Sequence, residues 1–456
     1  MAIKPSISKG TRDFSPADIA KRNYLKAVLQ EQFECYGFQP IATPTFEQLE
    51  TLMGKYGEEG DRLIFRILNS GEKLKKANTE ALSQNKLKAF ADSLSEKALR
   101  YDLTVPFARY VAQHQNELVF PFRRYQIQNV WRADRPQHGR FQEFMQCDAD
   151  IVGVRSSLQE IEMLRLYDSV FNTLGLHGVS LKINHRGLLA ALAQAIGAPD
   201  QLIPFTVALD KLDKIGFDGV VEELLQRGFD KNVVTQLQPL LQLKGTAEEK
   251  LKQLAAILPA STQKENALTE LQWIFEQLQD QPMQTVTVDL DITLARGLNY
   301  YTGMIVEVGA PKEIKMGSIG GGGRYDDLTA AFGLKDQSGI GISFGFDRIF
   351  LVMEELGLFP KEVLKTTQVL FLNTDEKGAA WALKELDALR RKGVAAEIYP
   401  APAKFQKQLR YANGKNIPYA VIYGSQEQEQ GHFVLKNMQA GSQQEYPIGT
   451  ALASIL

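Results

Sequence analysis

Apolar and polar residues follow a helical period in some segments of this chain and a two-residue period in others. Ser15, Pro16 and Asp18 form a helix-start pattern, and the apolar positions after them predict a helix that ends at Gly37. A second helix is predicted over 158–174. Strands are predicted at 63–68, 179–183, 285–294 and 304–309, a Pro-interrupted edge strand at 38–46, and a polar loop or solvated insertion at 70–97.

Two later segments have patterns of their own. Residues 187–282 repeat amphipathic Leu/Gln/Lys/Glu helices without a chemical motif, which indicates a helical insertion. The sequence pattern changes again near 360–367, which indicates a domain boundary. Beyond it, the pattern predicts strands at 368–373, 394–399, 417–423 and 432–436, with helices at 376–392 and 404–413 between the first three. This alternation is typical of a small α/β domain with a largely parallel sheet.

Composition narrows the class of protein. The chain has 456 residues, so roughly 150 residues per domain predicts about three domains. No apolar run reaches the ~20 residues of a membrane span, and the N-terminus lacks the apolar core of a secretory signal. Two cysteines cannot form a disulfide framework, so we expect a cytoplasmic protein. A formal net charge of −2 argues against coating nucleic acid by bulk charge but allows a local basic face.

Several common active sites are excluded by their missing motifs. The five histidines have no HxxxH or HxH spacing, so a zinc hydrolase is disfavoured and no metal site of protein side chains is predicted. The sequence also lacks GxxxxGK[ST], which argues against P-loop chemistry.

The strongest indication of a functional site is a set of arginines in aromatic segments with strand-like patterns. Arg132 is predicted to lie on an apolar strand, where a guanidinium needs a carboxylate or a phosphate. On the return strand, Phe144, Gln146, Asp148 and Asp150 share one face by two-residue alternation. That face offers a flat ring, an amide and two carboxylates, which suits a substrate with a planar base and an ammonium group.

Three further segments complete the pattern. Residues 294–303 place a charge and two phenols at a turn between strands, 320–323 predict a Gly-rich turn, and 339–348 end with Arg348 at a helix start. Together with KGTRDFSP at 9–16, these segments resemble class II aminoacyl-tRNA synthetases, and the match to the histidyl-tRNA synthetase family is close. Residues 33–50 resemble motif 1, 125–153 motif 2 and 339–351 motif 3, while ARGLNYYTG and GSIGGGGRYDDL resemble the two histidine-specific segments.

The resemblance implies a fold and a domain order. The fold would be an α+β catalytic core built on an antiparallel sheet, with a helical insertion and a C-terminal α/β anticodon-binding domain. The implied segments are 1–186 and 283–360 for the core, 187–282 for the insertion and 368–456 for the anticodon domain. The implied activity is ATP-dependent formation of histidyl-adenylate and transfer of histidine to tRNA(His) by a cytoplasmic homodimer, with MgATP as substrate and no prosthetic group.

The resemblance also implies residue roles. Arg132 would hold the α-phosphate, Phe144 would stack on adenine, and Arg348 would clamp the γ-phosphate. Arg296 would act at the α-phosphate and the amino-acid carboxylate. The histidine site would consist of Asp102, Leu103, Thr104, Gln146, Asp150, Arg296, Tyr300 and Tyr301, with Asp102–Thr104 and Gln146 at the ammonium group. Of these, Asp150, Tyr300 and Tyr301 would line the amino-acid pocket and read the imidazole nitrogens. The glycines at 320–323 would close over the pocket with bare backbone.

Simpler alternatives stay open for several of these residues. Instead of binding phosphate, Arg132 could be a surface strand residue that forms an ion pair with Asp134. Arg296 could be an ordinary turn residue. Tyr300 and Tyr301 would point to opposite faces of a strand, which makes at least one of them a candidate for core packing. The glycine run is otherwise a flexible hairpin turn.

Other residues have alternatives outside the catalytic site. Phe144 is a candidate for ordinary core, His114 and His138 for surface or structural positions, and Cys147 for a small apolar filler. The 187–282 helices serve packing or contact the acceptor arm of tRNA. Basic residues of the C-terminal domain form either a solvated helix face or an anticodon contact; they are Lys404, Lys407, Arg410, Lys415 and Lys436.

Two competing functions differ from the leading one. A synthetase-like regulatory subunit of ATP phosphoribosyltransferase would bind histidine without charging tRNA. Such paralogues typically lack the anticodon domain and degrade the second arginine motif, whereas this chain keeps Arg296, Arg348 and 368–456. A class II enzyme for another amino acid is disfavoured by the ARGLNYY segment.

Overall fold

The computed structural model describes residues 4–230, 243–295, 300–363 and 367–455. Contacts divide the chain into two compact units, one ending at Phe359 and the other beginning at Pro360. Within the described residues, no helix is long and apolar enough to cross a membrane.

The strands of the described residues are, in chain order, β1 Gln39–Pro40, β2 Phe46–Gln48, β3 Arg66–Ile67, β4 Lys97–Leu99, β5 Phe122–Trp131, β6 Glu143–Val152, β7 Ser180–His185, β8 Thr287–Leu290, β9 Met304–Gly309, β10 Gly320–Tyr325, β11 Gly339–Phe344, β12 Val369–Phe371, β13 Ala396–Ile398, β14 Tyr419–Ile422, β15 His432–Asn437 and β16 Gln443–Pro447.

The α-helices of the same residues are α1 Pro16–Cys35, α2 Leu49–Leu52, α3 Gly57–Arg62, α4 Thr79–Ser83, α5 Leu87–Ser93, α6 Thr104–Gln113, α7 Leu158–Thr173, α8 Arg186–Ala195, α9 Leu202–Leu209, α10 Leu212–Gln226, α11 Ala247–Ile257, α12 Thr262–Asp280, α13 Phe346–Glu355, α14 Glu376–Arg391, α15 Phe405–Gly414 and α16 Ser425–Gln430.

The larger unit is built on one eight-stranded sheet with the order β1-β5-β6-β11-β10-β9-β7-β8. The five central pairings are antiparallel, and only the edge pairings β1–β5 and β7–β8 are parallel. Helices α1 and α7 pack beside the sheet, and their buried residues join its hydrophobic core. The predicted α+β core on an antiparallel sheet is therefore confirmed.

Helix α1 begins as its sequence predicts. The Ser15 hydroxyl accepts the amide N–H of Asp18, and the Asp18 carboxylate accepts the amide N–H of Ser15, which forms a capping box. The chain leaves the helix through Gly37, whose φ of +77° favours glycine. The edge strand predicted over 38–46 is shorter than expected, since only Gln39–Pro40 pairs in the large sheet.

The Gly-rich turn predicted at 320–323 is wrong, because these glycines form strand β10 between β11 and β9. Both neighbouring backbones approach closely. A Cβ on Gly322 would lie 2.1 Å from the Gly341 carbonyl oxygen, and one on Gly321 would lie 2.9 Å from the Val306 carbonyl oxygen. Glycine is needed here for close packing rather than for a turn.

Two other local predictions need correction. Of the strand predicted at 63–68, only Arg66–Ile67 pairs, in a small sheet with the order β2-β4-β3. The stretch 70–97 is not a plain loop, since it contains a 3₁₀ helix at Gly71–Lys76 and the short helices α4 and α5. Short helices with little buried surface carry almost no apolar periodicity, which explains why the sequence did not reveal them.

The described part of 187–282 is helical, as predicted. Its helices bury Leu192, Phe205 and Leu271 in the same hydrophobic cluster as Ile183 of strand β7. The division of the larger unit into a core and an insertion stays a prediction.

The smaller unit has a five-stranded sheet with the order β13-β12-β14-β15-β16. The pairings of β12 with β13 and β14 are parallel, while β14–β15 and β15–β16 are antiparallel. The expected α/β alternation is present, but the predicted largely parallel sheet is wrong, because half of the pairings are antiparallel. The sequence did not predict α16 or β16, the last of which is exposed along most of its length and therefore lacks an apolar pattern.

Candidate active site

A cavity of about 370 Å³ opens on one face of the large sheet. Its walls come from β6, β10 and β11, from the start of α6, and from the segment after β5. Because these elements meet in the antiparallel centre of the sheet, residues far apart in sequence surround one volume.

Strand β6 supplies the face that its alternation predicts. Phe144, Gln146, Asp148 and Asp150 all line the cavity. Between them, Cys147 is fully buried in the core on the other face, as expected for an apolar filler. Phe144 itself is half-buried on the cavity wall and does not belong to the core.

Asp150 is tied into a buried polar network. The Tyr325 hydroxyl donates to Asp150 Oδ1 at 2.7 Å, and a guanidinium nitrogen of Arg124 lies 2.6 Å from Asp150 Oδ2. Burial raises the pKa of Asp150, and the nearby Arg124 opposes that rise. Arg124 is fully buried on β5, opposite Asp150 in the strand register, so this ion pair lies wholly inside the protein.

Asp102 is held at the start of helix α6. The Tyr56 hydroxyl donates to its Oδ1 at 2.8 Å, and the amide N–H of Val105 donates to the same oxygen at 3.1 Å. Burial raises the pKa of Asp102. Thr104, the first helical residue, lines the cavity together with Asp102, whereas Leu103 is fully buried and lies outside the lining.

Three buried oxygens on the cavity wall have no hydrogen-bond partner within the described protein: Asp102 Oδ2, Gln146 Oε1 and Asp148 Oδ1. All three are acceptors. Buried acceptors are normally satisfied, so this set indicates a ligand that brings several N–H donors.

The two tyrosines lie together rather than on opposite sides. Tyr300 and Tyr301 precede strand β9, their ring centroids are 4.8 Å apart, and both line the cavity. The opposite-face expectation therefore fails, because these residues are not on a strand. Burial raises the pKa of Tyr300 well above its usual value, which keeps its hydroxyl protonated as a donor.

Arg132 lies one residue beyond the end of β5, so its predicted position on the strand is wrong by one residue. Its Nε donates to the Tyr101 carbonyl oxygen at 3.0 Å, and its guanidinium carbon lies 5.1 Å from the centre of the Phe144 ring. The alternative partner Asp134 lies 3.7 Å from Arg140 instead. Aromatic stacking holds the Arg132 guanidinium on the cavity wall.

Arg348 occupies the first turn of α13, as predicted, and also lines the cavity. It donates to the carbonyl oxygens of Gly139 and Ser318. The adjacent Asp347 anchors this turn, because it accepts from Arg12 and Arg22 at 2.6 Å each and from the Met145 amide at 2.9 Å.

Arg296 lies outside the described residues, so its position stays a prediction. His138 is exposed and His114 is half-buried, and neither lines the cavity. Sequence reasoning missed the supporting residues Tyr56, Arg124 and Tyr325. No local pattern identifies them, since each acts across a distance of many residues in the chain.

Comparisons with known proteins identify the family of this chain. A family model for histidyl-tRNA synthetase matches residues 10–75 and 68–349, and an anticodon-binding-domain model matches 368–456. The chain belongs to the histidyl-tRNA synthetase family. It is 58% identical over 443 residues to a histidine–tRNA ligase of Christiangramia forsetii and 54% identical over 461 residues to one of Flavobacterium johnsoniae. Each match covers 97% of both chains.

Solved structures share the fold of this chain. The histidyl-tRNA synthetase of Nostoc sp. PCC 7120 is 28% identical, with a TM-score of 0.78 over 99% of this chain and 98% of that one. A Bacillus halodurans ATP phosphoribosyltransferase regulatory subunit/histidyl-tRNA synthetase is 21% identical, with a TM-score of 0.70 over 90% of this chain and 97% of that one, and shows the fold alone. The predicted family, class II fold and ligase class are confirmed.

Proposed function

We propose that this chain is a histidine–tRNA ligase that forms histidyl-adenylate from L-histidine and MgATP and then transfers histidine to tRNA(His). The observation that carries this proposal is that hydrogen-bond acceptors line one part of the cavity, while a guanidinium group and an aromatic ring line another. Unsatisfied acceptors of Asp102, Gln146 and Asp148 lie on its wall, while Arg132 and Phe144 flank the other end of strand β6. The acceptors suit an ammonium group and a ring N–H, and the guanidinium and the aromatic ring suit a nucleotide.

The α-ammonium group of histidine has three N–H donors. Asp102 Oδ2 and Gln146 Oε1 would accept two of them, and Thr104 lies beside Asp102 on the same wall. The side chain of Leu103 is buried and does not line the cavity. Leu103 would therefore serve the histidine site only by holding the backbone that positions Asp102 and Thr104. Asp150, Tyr300 and Tyr301 would line the histidine pocket.

The reaction requires one anion to approach another. An oxygen of the histidine carboxylate attacks the α-phosphorus of ATP, the bond from that phosphorus to the bridging oxygen breaks, and pyrophosphate leaves. Arg132 uses Nε for a backbone carbonyl, which leaves its other donors for the α-phosphate. Arg348 would hold the γ-phosphate, Phe144 would stack on adenine, and Arg296 would neutralise charge at the carboxylate and the α-phosphate. Fixed guanidinium groups stabilise such a transition state without proton transfer.

The deciding experiment is amino-acid-dependent ATP–pyrophosphate exchange. We expect exchange with histidine and with no other standard amino acid. Exchange with none would refute the ligase and favour the histidine-binding regulatory subunit, and exchange with another amino acid alone would refute the specificity. In addition, Arg296→Ala should lower single-turnover adenylate formation by orders of magnitude while histidine and ATP binding remain. An unchanged rate would refute the role of Arg296.

The smaller unit would bind the anticodon. Lys404, Lys407 and Arg410 are exposed at and along α15, whereas Lys415 is already paired with Glu397 at 2.9 Å. Exposed cations on one helix make salt-dependent phosphate contacts. We assign 368–456 to this role, 1–186 and 283–360 to catalysis, and 187–282 to an insertion that contacts the acceptor arm.

The remaining assignments concern assembly and location. We propose a homodimer through the motif 1 region at 33–50, where Phe46 is 47% exposed. Sedimentation equilibrium tests this, since a monomeric mass at micromolar concentration would refute it. We also propose that the enzyme works in the cytoplasm, where its tRNA substrate is used in translation.

A further inference from the structure

The N-terminal segment at residues 10–14 packs against the β5–β6 loop, which comprises residues 132–142. The Gly10 carbonyl oxygen accepts the amide N–H of Gln142 at 2.8 Å, and the Gln142 carbonyl oxygen accepts the amide N–H of Arg132 at 2.9 Å. Two backbone hydrogen bonds therefore connect the N-terminal segment to Arg132, whose side chain lies on the cavity wall.

Arg12 of this segment contacts both the β5–β6 loop and helix α13. Its guanidinium carbon lies 3.3 Å from the centre of the Phe141 ring in the loop, which is close enough for stacking. A guanidinium nitrogen of Arg12 donates to Asp347 Oδ1 at 2.6 Å, and Asp347 precedes Arg348 in the first turn of α13. One side chain thus joins the two elements that carry the proposed ATP-binding arginines.

Arg22 of helix α1 shows what Arg12 adds. It also donates to Asp347 Oδ1 at 2.6 Å. Its guanidinium lies over the rings of three residues outside the β5–β6 loop: Phe14, Phe346 and Phe350. The Arg22 side chain is 8% exposed, whereas that of Arg12 is 23% exposed. Asp347 therefore keeps a buried cation when Arg12 is removed, and the contact between the loop and helix α13 through Arg12 is what is lost.

The spacing of the loop and the helix matters for the proposed reaction. Guanidinium groups stabilise the transition state only when their donors already point at the phosphate oxygens. A misplacement of about 1 Å can lower the rate of such a reaction about 100-fold. Arg348 also donates to the Gly139 carbonyl oxygen of the loop at 2.9 Å, but a bound phosphate would compete for that guanidinium. Arg12 lies outside the cavity lining, so its contacts can persist while ATP is bound.

We infer that Arg12 is a positioning residue, which fixes the β5–β6 loop relative to helix α13 and so aligns Arg132 and Arg348 with the triphosphate of ATP. The inference rests on the proposed function. Asp102 and Tyr300 of the proposed histidine site belong to other elements. We therefore expect the loss of Arg12 to weaken the use of ATP much more than the use of histidine.

The test measures the KM for ATP and the KM for histidine separately in ATP–pyrophosphate exchange. Arg12→Ala should raise the KM for ATP by about tenfold or more and lower kcat, while the KM for histidine changes by less than about threefold. A merely structural role would reduce the amount of active enzyme. That loss lowers the apparent kcat and leaves both KM values unchanged.

Three variants complete the design. Arg12→Lys keeps the charge beside Asp347 but loses the flat face on Phe141, so the KM for ATP should rise by about three- to fivefold. Arg22→Lys should lower the free energy of unfolding at least as much as Arg12→Lys, because Arg22 is more deeply buried, but it should raise the KM for ATP less. Lys9→Ala, whose side chain is exposed next to the N-terminal segment, is the matched control and should change neither KM.

The outcomes separate this inference from the proposed function. If Arg12→Ala leaves the KM for ATP unchanged, or raises both KM values by the same factor, the inference is overturned. If Arg12→Ala yields no folded enzyme, a KM for ATP that rises no more in Arg12→Lys than in Arg22→Lys overturns it. If the unmodified enzyme shows no histidine-dependent exchange, the proposed function fails. Isothermal titration calorimetry with ATP then decides the inference alone, and an equal Kd for Arg12→Ala and the unmodified chain would overturn it.

Discussion

The buried carboxyl group of Asp148 should make the free energy of unfolding of the ligand-free protein decrease as the pH rises. Burial is the largest cause that raises its pKa, from 3.8 to about 7, with Asp150 adding to the rise and Arg124 opposing it. In the unfolded chain this carboxyl group returns to its ordinary value. Between these two pKa values the native state holds a proton that the unfolded state releases, so the free energy of unfolding falls as the pH rises.

The size of the effect follows from the shift. A pKa difference of about three units destabilises the native state by about 4 kcal/mol when the carboxyl group is ionised. This destabilisation is absent below the pKa of the unfolded chain and complete above about pH 7. Between pH 5 and pH 8 the loss is about 3 kcal/mol. Asp148→Asn removes this titration. The variant should therefore gain about 3 kcal/mol relative to the original chain as the pH is raised from 5 to 8.

Urea unfolding of the ligand-free protein at pH 5, 6, 7 and 8 measures this difference. A Trp381→Phe background removes the tryptophan of the smaller unit and leaves Trp131 and Trp273 to report on the larger one. Asp289→Asn provides the control, because this side chain is 60% exposed on β8. Its stability curve should run parallel to that of the unmodified background. A stability difference between Asp148→Asn and its background that is the same at pH 5 and pH 8 would refute the reasoning.

Three further predictions concern other parts of the molecule. Asp347→Ala leaves two guanidinium groups without their shared carboxylate, so the free energy of unfolding should fall by about 3–5 kcal/mol and exchange should fall with it; a loss below about 1 kcal/mol in urea titrations would contradict the buried clamp. Gly322→Ala should abolish exchange or soluble folding, because its Cβ would lie 2.1 Å from a backbone oxygen, whereas Gly414→Ala, with open space at its Cβ, should leave exchange and circular dichroism unchanged. Replacing Lys407 and Arg410 by Glu should raise the KM for tRNA by about tenfold or more at low salt, without changing pyrophosphate exchange, and equal effects on both activities would contradict a dedicated tRNA surface.

Local periodicity made much of the fold predictable. The capping box at Ser15 and Asp18 involves residues three apart, and a strand turns alternate side chains to one face wherever it lies. For this reason the helix start and the shared face of Phe144, Gln146 and Asp148 could be derived from the sequence. The family was recognised separately, because the motifs and their order resemble those of histidyl-tRNA synthetases.

The sequence by itself determined which β6 residues share a face, because side-chain alternation along a strand is a short-range pattern. The family and the α+β core followed from the resemblance of its motifs to those of histidyl-tRNA synthetases. Only the tertiary structure decided which carboxylate is compensated. Arg124 and Tyr325, from two other strands, satisfy Asp150 and leave Asp148 Oδ1 without a partner. Long-range contacts also turned the glycines at 320–323 into a strand between two close neighbours. Sequence spacing does not show which distant residues come into contact. The free-energy cost of burying a polar group depends on those contacts, because they decide whether the group has a hydrogen-bond partner.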